Sequence, residues 1–158
     1  MAGSILRWAA FEADAPELAE AGRRLLFRWG PGLAYLATVR PDGAPRIHPV
    51  CSTIVDDGLW VVVGPSPKRG DLVRDGRYAL HTFPEREVDD EFSVAGRAER
   101  NEDPSTRDAV EADFQARDVN TGESDVLFEL LIERALHAAY GPRPSWPPTY
   151  TRWPGSPG

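Results

Sequence analysis

Between Ser66 and Leu72 the chain reads Ser-Pro-Lys-Arg-Gly-Asp-Leu, directly after an apolar run, Leu59-Trp60-Val61-Val62-Val63, and a Gly64-Pro65 break. A strand end, a tight turn, two cations and a helix start can together hold a phosphate. The first turn of a helix offers free N–H groups and a partial positive charge. Lys68 adds a point charge, Arg69 a planar fork of donors and Ser66 a hydroxyl. A lone Lys-Arg pair would read as a solvated turn. Here a second basic element, Arg46 and His48, lies one strand earlier, two residues apart and so on one side of that strand. A hairpin at Asp56-Asp57-Gly58 would bring the start of the earlier strand beside the end of the later one, and Arg46 and His48 beside Ser66, Lys68 and Arg69. The strand residues between, Pro49-Val50-Cys51-Ser52 and Val61-Val62-Val63, make an apolar wall. A phosphate pocket beside an apolar wall suits a phosphorylated, flat, aromatic ligand.

Other chemistry is poorly supplied. His48, His81 and His137 have no i, i+4 partner and no accompanying carboxylate pattern, so no metal site is expected. His81 and His137 read as partly buried residues with satisfied nitrogens. Cys51 has only Ser52 and Thr53 beside it and reads as an inert, buried thiol. Glu85, Glu87, Asp89, Asp90 and Glu91 read as a solvated acidic loop. No dinucleotide fingerprint, phosphate-binding P-loop or nucleophile elbow occurs, and no catalytic side chain is assigned.

The 158 residues suffice for one sizeable core, and the chain is expected to be a single domain. A net charge of -7 argues against general nucleic-acid binding, which needs a dominant basic surface. No apolar run approaches the roughly 18 residues of a membrane span, and Met1–Trp8 does not read as a signal peptide. One cysteine excludes an internal disulfide. The expected compartment is the cytoplasm.

The elements that would position the basic residues follow from periodicity and turn chemistry. Residues 1–15 read as a poorly determined lead-in. Leu18, Ala21, Gly22, Leu25, Leu26 and Trp29 mark one face of a helix from Pro16 to about Trp29. Strands are expected at 33–39, about 46–55, 59–63, 77–83 and 91–100, with a short helix at Asp71–Arg74 and another opened by Asp103-Pro104. Pro49 places part of the second strand at an edge or bulge. In residues 126–139, Phe128, Leu130 and Ile132 alternate with Glu129 and Glu133, which favours a sixth strand over a helix. The tail from Gly141, Pro-rich and carrying Trp146, Tyr150 and Trp153, reads as cover for a neighbouring surface. Six short strands with small helices give a mainly β (α+β) chain, a compact antiparallel barrel.

With these residues in place the chain resembles the pyridoxamine 5′-phosphate oxidase-related superfamily of flavin-binding split β-barrels. The resemblance is carried by Ala34-Tyr35-Leu36-Ala37-Thr38-Val39-Arg40-Pro41-Asp42-Gly43-Ala44-Pro45-Arg46, by Ser66-Pro67-Lys68-Arg69-Gly70-Asp71-Leu72 and by Phe92-Ser93-Val94-Ala95-Gly96-Arg97-Ala98-Glu99. It implies a six-stranded split barrel and a homodimer with cofactor sites at the subunit interface. It also implies that Arg46 and Lys68 bind the cofactor phosphate with Ser66 and Arg69 assisting, while Pro49, Val50, Cys51, Val62 and Val63 flank the ring. The oxidase proper has lysine where Cys51 stands and glutamine where Glu91 stands, and its substrate-phosphate residues are not recognisable in this tail, so vitamin B6 synthesis is not expected. The implied cofactor is FMN, or alternatively the deazaflavin F420. The implied activity is hydride transfer to or from a small conjugated substrate. Two other readings stand beside it: a flavin- or haem-binding split barrel without turnover, with His48, His81 or His137 as haem ligand, and a structural dimer whose site is empty.

Overall fold

The computed structural model describes residues 4–87, 89–141 and 146–155; residues 1–3 of the expected lead-in, and 142–145 and 156–158 of the expected tail, lie outside them. The lead-in holds a helix, α1 (Trp8–Asp14), anchored by buried Trp8 and Phe11, whose rings meet edge to face at 5.4 Å. Its seven residues are too few to display a period, so only burial reveals it. α2 (Pro16–Leu26) follows, with proline in its first turn, where a missing N–H leaves nothing unpaired. It ends three residues before Trp29, which stays exposed. Gly22 lets α2 lie directly on Phe92: a Cβ there would stand 2.5 Å from the ring.

Seven strands follow: β1 (Gly32–Val39), β2 (Pro45–Val55), β3 (Gly58–Val63), β4 (Arg77–Thr82), β5 (Glu91–Asn101), β6 (Val126–Ala139) and β7 (Thr149–Trp153). Their order is β3-β2-β1-β4-β5-β6-β7, antiparallel throughout, and a further β3–β6 pairing closes six of them into a barrel. β1 shows the period-two logic: Gly32, Ala34, Leu36 and Thr38 are buried, and their alternates are half-buried. Residues 126–139 are strand. β5 pairs along the length of β6, with a register shift at Ala95/Gly96 where a Cβ on Gly96 would fall 2.0 Å from the Leu131 carbonyl. β6 serves two partners: Val126–Glu129 pairs with β3, and Ala135–Ala139 with β7.

β7 is the second departure from the expected layout. The end of the tail adds a strand to β6, and Trp153 donates Nε1–H to Asp14 at 2.6 Å while meeting Phe11 edge to face. Two short helices complete the chain. α3 (Pro67–Arg74) follows β3 and starts four residues earlier than expected, with Ser66 at its N-cap. α4 (Pro104–Ala116), capped by the Asp103 carboxylate on the Thr106 N–H, covers a small second core of Trp60, Val110, Phe114 and Leu127. No helix among the described residues is long and apolar enough to cross a membrane.

One feature of the barrel makes the site. β2 and β3 are paired only over Ser52–Val55 and Gly58–Val61. Beyond Ser52 the two strands part, and Pro45–Cys51 keeps a strand partner, β1, on one side only. Pro49 falls in this stretch, where its missing N–H removes no bond from a second neighbour.

Candidate functional site

Where β2 and β3 diverge, a cleft of about 190 Å³ opens between them, α3 and the loop after α4. Pro49, Val50, Cys51 and Val62 form its apolar wall, Lys68 stands at its α3 side, and Asn120, Thr121 and Asp125 close it from the loop. Five residues singled out from the sequence thus meet in one place. Lys68 makes no ion pair or side-chain hydrogen bond among the described residues. The Ser66 hydroxyl, which could have capped α3, donates instead to the Gly64 carbonyl at 3.0 Å, so the first turn has no side-chain cap. Val63, the neighbour of Val62, points into the barrel core and is buried there.

The Cys51 thiol faces this cleft half-buried, and burial pushes its pKa up. It is therefore a poor thiolate at neutral pH and contributes shape and polarisability rather than nucleophilicity.

The other basic residues are differently placed. Arg46 and His48 lie opposite Thr38 and Leu36 of β1, on the buried face of that strand. Arg46 reaches α3 but meets a carboxylate there: its Nε donates to Asp71 Oδ2 at 2.8 Å. Asp71 is only 2% exposed, and it also accepts from the Thr38 hydroxyl at 2.8 Å and from Arg74 at 3.3 Å. Burial raises the Asp71 pKa, but the hydrogen bonds from Arg46 and Thr38 outweigh it, and the net value lies below the ordinary carboxylate value. Arg69 donates to the Ser124 carbonyl at 2.8 Å, bracing the loop that closes the cleft. His48 Nε2 is buried without a hydrogen-bond partner among the described residues. His137 Nε2 is likewise unpartnered and stands 3.6 Å from Asp90, so the expectation of satisfied nitrogens does not hold for it. The His81 side chain is nearly half exposed and its Nδ1 lies 2.7 Å from the Thr82 carbonyl.

Asp71 is the residue that sequence reasoning passed over. Its i, i+3 spacing to Arg74 is visible in the sequence, but Thr38 and Arg46 lie on other elements and only the fold brings them to it.

Comparison with known proteins decides the family. The model of the pyridoxamine 5′-phosphate oxidase family matches residues 23–137, well over half of the chain and all of the six-stranded barrel but the very end of β6. The chain belongs to this family. A search of curated proteins found no match. Solved structures share the fold at low identity. A conserved hypothetical protein of Mycobacterium tuberculosis is 22% identical at a TM-score of 0.57, over 65% of this chain and 74% of that one. A haem-binding protein of Mycobacterium smegmatis is 20% identical at 0.61, over 83% of this chain; the match spans 57% of that protein's length. The haem storage protein HutZ of Vibrio cholerae is 15% identical at 0.59, over 75% of this chain and 89% of that one.

Proposed function

We propose that this chain is a flavin- or deazaflavin-dependent oxidoreductase of the pyridoxamine 5′-phosphate oxidase type, binding FMN or F420 in the Lys68 cleft and acting on a small conjugated substrate. The observation that carries this reading is Lys68, without a side-chain partner among the described residues, beside an apolar wall of Pro49, Val50, Cys51 and Val62. One cation and one flat apolar face match the two ends of such a cofactor. When bound, the cofactor would supply hydride chemistry. The chain's own part is to hold the anionic end at Lys68 and the first turn of α3, to support the ring on the wall and to limit water there. No side-chain acid or base is needed, in keeping with the Cys51 thiol held protonated.

The reading includes a cytoplasmic homodimer with two cofactor sites at the subunit interface. Ile47, 65% exposed on the outer face of β2 between exposed Pro45 and Pro49, supports a partner surface next to the cleft. The test is fluorescence titration of purified protein with FMN and with F420. Lys68→Ala should weaken the bound cofactor by about 2–4 kcal/mol if the contact is charge-assisted and desolvated. A loss below about 0.5 kcal/mol would put Lys68 in solvent and sink the assignment.

A second reading, haem binding without turnover, is favoured by His81. A carbonyl can only accept, so Nδ1 carries the proton toward Thr82, and in the neutral ring Nε2 then keeps the lone pair that an iron ligand needs. Two of the structural neighbours are named for haem. A Soret band on haem addition that His81→Ala abolishes would select this reading over the first.

A further inference from the structure

A second hollow, about 410 Å³ and larger than the cleft, lies on the outer face of the barrel. Strand register explains it. Ala79 of β4, Ala95 of β5 and Arg134 of β6 stand on one rung of the sheet, and Ser93 of β5, Leu136 of β6 and Arg152 of β7 on another. Directly opposed residues share a face, so short side chains on β4 and β5 give way to long ones on β6 and β7. Trp153, fixed by its bond to Asp14, lines the β7 side. The charges here are unusual for this acidic chain. Arginines elsewhere sit against carboxylates: Arg7 on Glu129, Arg23 on Glu12, Arg77 on Asp75 and Arg107 on Glu111. Arg134 and Arg152 are exposed, make no ion pair or side-chain hydrogen bond among the described residues, and share the hollow with no carboxylate. Glu133, next to Arg134, is the extra residue of the β6 bulge and lies 3.7 Å from Arg97 instead. Arg152 holds its guanidinium 4.9 Å over the Tyr150 ring, a contact that restrains the charge without neutralising it.

We infer that this hollow is a binding site for a small planar aromatic carboxylate, its ring against Ala79, Ser93, Ala95 and Leu136 and its carboxylate between Arg134 and Arg152. In the register of β6 and β7 the two arginines are diagonal neighbours, roughly 7–8 Å apart at the backbone, a gap their long side chains can close on one anion. Two like charges at that spacing repel each other. A carboxylate between them removes the repulsion and accepts N–H bonds from both. The guanidinium fork matches the two oxygens of a carboxylate better than a point charge does. The floor offers apolar surface and little hydrogen bonding, which suits a ring rather than a sugar or a peptide. The mouth is open to water, so each arginine contact is partly screened and its effect is modest. The hollow and the Lys68 cleft share no lining residue, so the inference stands apart from the cofactor reading.

The experiment uses one ring system with and without its charge. 2-Naphthoate and the uncharged 2-naphthamide are titrated calorimetrically into the purified protein at pH 7.5. The acid should bind with a Kd below about 1 mM and about tenfold tighter than the amide. Arg134→Gln and Arg152→Gln should each weaken the acid about threefold and leave the amide unchanged. Both arginines are exposed, so neither variant removes a core contact. Ala79→Phe, which fills the floor from an exposed position, should weaken acid and amide alike. Equal binding of acid and amide by wild type would overturn the inference, as would no heat from either ligand at millimolar concentration. A flat anion also fits the Lys68 cleft. Loss of naphthoate binding in Lys68→Ala, with both arginine variants unaffected, would place the ligand there and overturn the inference while the cofactor reading stands. A second copy of the chain seated on the hollow would overturn it too: sedimentation would show the arginine variants weakening a dimer that binds neither ligand.

Discussion

Replacing Asp71 by alanine tests the clasp as a piece of structure, independently of any ligand. The carboxylate is 2% exposed and carries three donors from three elements: Thr38 on β1, Arg46 on β2 and Arg74 on α3 itself. Removing one partner of a buried ion pair costs about 3–5 kcal/mol, because the remaining charge is left desolvated. Arg46 is 24% and Arg74 41% exposed, so both recover part of their hydration, which favours the low end. Thr38 is 3% exposed and its orphaned hydroxyl adds to the loss, on the order of 1 kcal/mol. The sum is about 3–4 kcal/mol, a large share of the roughly 5–15 kcal/mol that a domain of this size has. Urea unfolding followed by tryptophan fluorescence should show a lower midpoint at unchanged slope, and the melting temperature should fall by roughly 10 °C. The pH dependence carries a sign. The folded-state carboxyl lies below the ordinary aspartate value of 3.8, so its contribution is present above that pH and is lost as pH falls through the lower folded value. Wild type and Asp71→Ala should therefore converge in stability below about pH 4. A loss under about 1 kcal/mol at pH 7, or a difference that persists undiminished in acid, would refute the buried-clasp account.

The remaining predictions touch other parts of the same frame. Gly22→Ala gains about 1 kcal/mol of helix propensity but forces a methyl to within 2.5–2.9 Å of the buried Phe92 ring, so overpacking wins and the variant unfolds at lower denaturant than wild type; equal or greater stability would show that α2 can shift off β5. Cys51 should react with a thiol reagent at pH 7.5 more slowly than an unfolded control, because burial holds it protonated, and a ligand seated in the cleft should slow it further; a rate indifferent to bound ligand would place the ligand elsewhere. Trp153→Ala removes the edge-to-face contact with Phe11 and the hydrogen bond to Asp14 and should destabilise by about 3 kcal/mol, with limited proteolysis of the tail as the first sign; an unaltered digestion pattern would mean that β7 docks through its backbone alone.

Most of the strands, α2 and α4 were legible in the sequence because their signals are local. The period-two burial of β1 and β5, the Asp56-Asp57-Gly58 turn, the Asp103 cap and the first-turn prolines act between near neighbours in the chain. The ambiguous Leu-Glu-Ala-rich segment resolved as strand for the same reason: its alternation outweighed its helical composition once β5 offered a partner along its length. α1 and β7 were missed because what holds them is distant. Trp8 and Phe11 are buried under elements that come later in the chain, and Trp153 is tied to Asp14 from the other end of it.

The site divides along the same line. Sequence by itself determined which side chains could meet a phosphate and a flat ring, since Lys68, Cys51 and the valine run lie on elements with clear local signals. Only the tertiary structure decided what those side chains meet. The early parting of β2 from β3 opens the cleft at Pro49–Cys51, and the packing of α3 against β1 and β2 drives Asp71 under Arg46. An arginine reads the same in a sequence whether its guanidinium faces solvent or a buried carboxylate. Its electrostatic effect depends on charges a few ångströms away in space, and in this protein the deciding one is 25 residues away along the chain.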